Sequence, residues 1–166
     1  MRTVPYQRQK AVEYARKWAL ARNPAYYDFS DLGGDCTNFA SQAVYAGSGV
    51  MNFTPVFGWF YRTANDRTPS WTGVEFFYNF FSGNLSVGPF GRWADLSDIE
   101  PGDVIQLSFD GEHFAHTPVV LSVGNPPEPE NILLAAHTND ALDRPLSTYS
   151  YQRLRPIHME GVRVWE

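Results

Sequence analysis

The chain has one cysteine, and it stands inside Gly33-Gly34-Asp35-Cys36-Thr37-Asn38-Phe39-Ala40-Ser41-Gln42. Two glycines permit a tight approach. The spacing of Phe39, Ala40, Ala43 and Val44 predicts a helix that begins at Asp35 or Cys36 and stops at Gly47. A thiol at a helix N-terminus feels unpaired backbone N–H groups and the positive end of the helix dipole. Both favour the thiolate, which is the nucleophilic form. The plainer alternative is a structural thiol in the first turn of a core helix, because free cysteine is among the most buried residue types.

A cysteine nucleophile needs a base beside it in space, and the chain offers four histidines. His116 opens the apolar run Thr117 to Val123, which reads as a buried strand, and His137 closes the run Ile132 to Ala136. Side chains at strand ends can converge on a neighbouring helix N-terminus. His113 falls in the loop Asp110-Gly111-Glu112-His113, and His158 in a mixed segment after Pro156. Both therefore read as surface or satisfied polar residues. Gathering His113, His116, His137 and Asp140 around a metal would give a different hydrolase. That set lacks the helical His-Glu-x-x-His spacing which makes such sites recognisable, so no metal or other cofactor is expected.

The elements that must position these groups follow in chain order. Ala11, Val12, Ala15, Trp18 and Ala19 predict an amphipathic helix over about Tyr6 to Arg22, ended by Pro24. The Cys36 helix follows, then an irregular aromatic stretch to Thr68. Thr72-Gly73-Val74-Glu75 has the form of a capping box and starts a third helix carrying Phe76, Phe77, Phe80 and Phe81, stopped by Gly83. A turn at Glu100-Pro101-Gly102-Asp103 feeds a strand over Val104 to Phe109. The His116 and His137 strands come next, and Gly161 to Trp165 reads as a last strand. Pro118 inside the His116 strand cannot donate to a ladder, so that strand must be at an edge or in an altered register. Helices first and strands after predict an α+β fold with an antiparallel sheet, as one domain over 1–166.

Composition bounds the partners. The 166 residues carry a net charge of −5, which disfavours a nucleic-acid partner, and no apolar run is long enough to span a membrane. Hydrophobic residues at 43% argue for a packed core rather than disorder. One cysteine allows no intrachain disulfide. The segment Met1 to Tyr6 leads toward a helix rather than a signal core, so the chain reads as cytoplasmic, or as a secreted or cell-surface domain if excised from a larger protein. A monomer is expected.

The Asp-Cys-Thr-x-Phe start of a helix, the Pro101-Gly102-Asp103-Val104 turn and a strand-leading histidine resemble the NlpC/P60 and CHAP members of the papain-like cysteine peptidases and amidases. A closer resemblance is to the bacterial "putative amidase domain" family. It rests on Asn23-Pro24-Ala25-Tyr26, Gly33 to Gln42, Trp59-Phe60-Tyr61, Ser70-Trp71-Thr72, Gly102 to Gln106 and His137-Thr138-Asn139-Asp140. The resemblance covers nearly the whole chain and implies a papain-like fold, with the nucleophile helix packed on an antiparallel sheet.

The resemblance implies an amide hydrolase in which Cys36 attacks the carbonyl, and His116 keeps the sulfur ionised and protonates the leaving amine. His137 takes the orienting place that NlpC/P60 proteins often give to a histidine on the next strand, with Asn139 and Asp140 as competitors. The Cys36 backbone N–H is the natural oxyanion donor, with Asp35, Tyr26 or Tyr27 shaping the same pocket. Trp59, Trp71 and Trp93 could line a groove for a peptide or peptidoglycan fragment, or could simply form the core. Transfer of the acyl group to an amine, and a binding module without chemistry, are the remaining readings.

Overall fold

The computed structural model describes residues 1–166. Four helices pack against a sheet of eight antiparallel strands. Strands β1 (Arg2–Val4), β10 (Arg153–Val164), β5 (Val104–Ser108), β7 (Val119–Ser122), β8 (Leu133–Ala136) and β9 (Ala141–Pro145) lie side by side in that order. β4 (Gly88–Trp93) adds to β10, and β6 (Phe114–His116) to β5. The two-stranded ribbon of β2 (Tyr61–Thr63) and β3 (Asp66–Arg67) stands apart. The class is α+β, as the order of elements predicts. β1, β2, β3, β4 and β9 are additions to the expected strands, and β10 begins at Arg153, well before the expected strand over Gly161 to Trp165.

Period-two alternation fills both faces of the sheet. Val104, Val119 and Ala135 face the helices, whereas Ile105, Leu107, Val120 and Leu134 face a second, smaller cluster with Ile99, Ile132 and Leu146. Pro118 divides the expected His116 strand. His116 closes β6, Thr117-Pro118 interrupts the ladder, and β7 resumes along β5 in the same register, Leu107 lying opposite His116 and Val104 opposite Val119. The Pro118 carbonyl still accepts the Ile105 N–H at 3.0 Å, so the break leaves the neighbour satisfied.

Helix α2 (Cys36–Ser48) lies inside the molecule. Helix α1 (Arg8–Trp18) closes on it through Ala11 and Ala15, whose small side chains permit the approach. The expected apolar face is buried, but so are Asn38, Ser41 and Gln42. Each has a partner. Asn38 Oδ1 accepts the Trp71 indole N–H at 3.0 Å, Ser41 Oγ accepts that of Trp59 at 3.1 Å, and Gln42 Oε1 accepts the Tyr14 hydroxyl. Buried polar atoms cost little only when so paired.

The predicted third helix is α4 (Val74–Gly83), and a short helix that was not expected, α3 (Pro69–Thr72), precedes it. Thr72 ends α3, and Gly73 caps α4 without a side-chain bond, so the expected capping box does not form. Glu75 is drawn elsewhere. Its two oxygens accept from Arg155 Nη1 and Nη2 at 2.9 and 2.8 Å. The Arg155 guanidinium is buried between Tyr78 and Phe114, where a bidentate charged pair outweighs a backbone cap.

Candidate active site

Cys36 is the first residue of α2. Its approach runs through Gly33 and Gly34 at φ +86° and +99°, a conformation that favours glycine. A Cβ on Gly34 would lie 3.4 Å from Thr138 Oγ1, so the loop after β8 presses directly on this approach. That hydroxyl oxygen also accepts the Asp35 backbone N–H at 3.2 Å.

Asp35, buried, fixes the start of the helix. Its Oδ1 accepts from the Phe29 N–H at 2.8 Å and from Asn38 Nδ2 at 2.9 Å. Its Oδ2 lies 2.5 Å from His137 Nδ1. The other ring nitrogen, His137 Nε2, lies 2.7 Å from the Trp18 carbonyl oxygen and must donate to it, since a carbonyl only accepts. The ring stacks on Phe39 with centroids 4.1 Å apart. His137 therefore joins the end of α1, the start of α2 and the end of β8.

This placement differs from the expected one. Both nitrogens of His137 are engaged, and neither bonds His116. Asp35 presents acceptors to its neighbours and offers no donor for an oxyanion. Asp140 is held by Arg22 through two contacts at 2.8 and 3.0 Å. Asn139, the other competitor, lines the same cleft as His116.

Cys36 and His116 meet through their neighbours. Thr37 Oγ1 lies 2.9 Å from Thr117 Oγ1, tying the first turn of α2 to the residue after His116. The sulfur is 3.7 Å from Thr37 Oγ1 and also receives a hydrogen bond from the Thr117 backbone. Burial pushes the thiol pKa up, and these hydrogen bonds offset only part of that rise. The helix N-terminus alone predicts a thiolate; desolvation outweighs it here. His116 is buried as well. Burial and, after it, the charge of Arg144 lower its pKa to about 4. At neutral pH the resting pair is a thiol and a neutral imidazole.

His116 opens on a cleft of about 290 Å³ whose wall includes Thr138, Asn139, Arg144 and Tyr149. Arg144 and Tyr149 carry no signal in the sequence. Only the folding of β9 and the turn after it against β6 brings them to His116.

The remaining expected residues fall elsewhere. Trp59 and Trp71 are fully buried behind α2 and cannot line a groove. Trp93 is exposed but stands on β4, beside Phe114. Tyr26 stacks on Trp71, and half-exposed Tyr27 packs on Phe29 while its carbonyl accepts from Asn38. His113 is exposed and bonds Asp110; His158 bonds buried Asp103. His113, His116, His137 and Asp140 thus have separate surroundings and form no common ligand set.

Within this α+β fold, a buried cysteine at a helix N-terminus is tied to a strand that ends in a buried histidine beside an open cleft. The sequence matches the family described as "Putative amidase domain" over residues 5–159, and the chain belongs to that family. It is 35% identical over 145 residues to "Uncharacterized protein YhbB" of Bacillus subtilis (strain 168). The match covers 84% of this chain and 44% of that protein, so the chain spans less than half of its relative's length. No solved structure matches. No helix is long and apolar enough to cross a membrane.

Proposed function

We propose that this chain is a cysteine amidase of papain-like, NlpC/P60-type architecture, acting on an amide bond in a peptide, with cell-wall peptide as the substrate class. The observation that carries the reading is the Thr37–Thr117 tie, which holds the first turn of α2 against the strand end that bears His116. The Cys36 thiol attacks the carbonyl carbon while His116 takes its proton, so a C–S bond forms as the S–H bond breaks. The same proton then passes to the nitrogen as the C–N bond breaks and the amine leaves. Water, deprotonated by His116, releases the acid and restores the thiol. The Cys36 N–H, first in its helix and without an intrahelical acceptor, is the oxyanion donor. Asn139, which lines the same cleft, is the candidate orienting partner of His116, and His137 anchors the loop that carries it.

Peptidoglycan fragments and a peptide library, incubated with wild type and variants and read by mass spectrometry, test the reading. Cleavage by wild type should vanish in Cys36→Ala and His116→Ala, and survive in His113→Ala. Activity retained in Cys36→Ala would overturn the cysteine mechanism.

A further inference from the structure

We propose that the cleft beside His116 is a carboxylate subsite, in which Arg144 binds a free carboxylate of the substrate next to the amide under attack. The inference rests on the amidase reading and adds the chemical class of substrate that the site takes.

Arg144 is held at one side only. Its Nε donates to Thr148 Oγ1 at 2.8 Å and its Nη2 to the Thr148 carbonyl at 3.0 Å. The guanidinium carbon lies 3.7 Å from the centre of the Tyr149 ring, which fixes its plane. Nη1 and the second Nη2 proton are left without a protein acceptor, and together they form the end-on fork that fits a carboxylate. The acids nearest in sequence are engaged elsewhere, Asp140 by Arg22 and Asp143 by Arg16. No Asp or Glu lines the cleft, so in a protein of net charge −5 this wall carries a lone positive group. Thr138 lines the cleft and its hydroxyl accepts the Asp35 N–H, so the wall of the subsite reaches the residue before Cys36.

A bound carboxylate would also act on the base. Arg144 is one of the two causes that hold His116 near 4, and an anion on the guanidinium offsets that charge. Substrate binding would then make His116 a stronger acceptor for the Cys36 proton at the moment of need.

The test uses Cys36→Ala, which binds without turnover, with acetate, succinate and N-acetylated tripeptides that end in either a carboxylate or a carboxamide. Affinity is read by titration, and the protonation of the His116 ring by NMR. Carboxylates should bind about tenfold or more tightly than the matched carboxamides and raise the His116 midpoint. Arg144→Gln should abolish both effects, and Arg144→Lys should keep part of each. Equal affinity for both end groups, no movement of His116 with any carboxylate, or an unchanged preference in Arg144→Gln would overturn the proposal. These readouts do not depend on turnover, so hydrolysis surviving in Cys36→Ala would sink the cysteine mechanism separately.

Discussion

At the scale of single residues, opposing forces set the protonation of the proposed nucleophile and its proposed base. The helix N-terminus favours a thiolate, and burial favours the thiol. Burial wins at Cys36, while His116 is driven toward the neutral imidazole with a pKa of about 4. A neutral pair acts by general-base transfer. Protonated His116 cannot accept the sulfur proton, so kcat/KM should fall as the pH drops through about 4, rather than through the ordinary histidine range. Iodoacetamide should label Cys36 more slowly than a small free thiol near pH 7, and faster as the pH rises. Rapid labelling that does not vary between about pH 5 and 8 would show a preformed ion pair instead. The proposed nucleophile was conspicuous in the sequence because a lone cysteine, a glycine pair and a helical face coincide within ten residues. The partner of His116 was not. His137, Thr138 and Asn139 are consecutive, and Thr138 and Asn139 take left-handed φ values of 65° and 57°. Such a turn sends neighbouring side chains to different sides of the loop, a choice that residue type does not encode.

Among the elements, α2 is held at its start by a carboxylate rather than by an ordinary cap. Asp35 gives α2 no side-chain capping bond to its N2 or N3 amide; it binds the loop before it at Phe29, the helix at Asn38 and β8 through His137. Removing that carboxylate strands a histidine whose other nitrogen is already committed to Trp18. Asp35→Ala is therefore expected to cost about 3–5 kcal/mol in urea unfolding, as for one partner of a buried pair. A loss under about 1 kcal/mol would mean that the pair contributes little beyond a surface contact. Helices α1 and α2 and strands β5, β7 and β8 were legible from their periodicity. β4 was not, because Gly88-Pro89-Phe90-Gly91 shows no alternation and pairs only once β10 is present. Most of β10 was hidden by Pro156, which sits opposite Ile105 just before β4 joins the other side at Ile157. The capping box was a sound local signal that lost to a distant one, the buried Arg155.

For the molecule as a whole, pH should act on stability through a second histidine far from Cys36. His158 Nδ1 lies 2.8 Å from buried Asp103, which also binds Arg8, and the Asp103 hydrogen bond raises the His158 pKa above its ordinary value. A raised folded-state pKa gives stability that is fully present below the unfolded value and lost as the pH rises through the folded one. Thermal unfolding should therefore show a decline through and above the ordinary histidine range that His158→Gln lacks. Identical pH dependence in the two proteins would remove His158 from that role. The sheet carries one further consequence. Arg2 pairs with Val164 and Val4 with Val162, so both ends of the chain run along the β1–β10 margin, whereas the cleft is bordered by β9 and the turn before it, at the opposite margin. Any polypeptide joined at either end grips this domain as a handle grips a tool, by the side away from its working edge. A tether fixed there leaves the mouth of the cleft free.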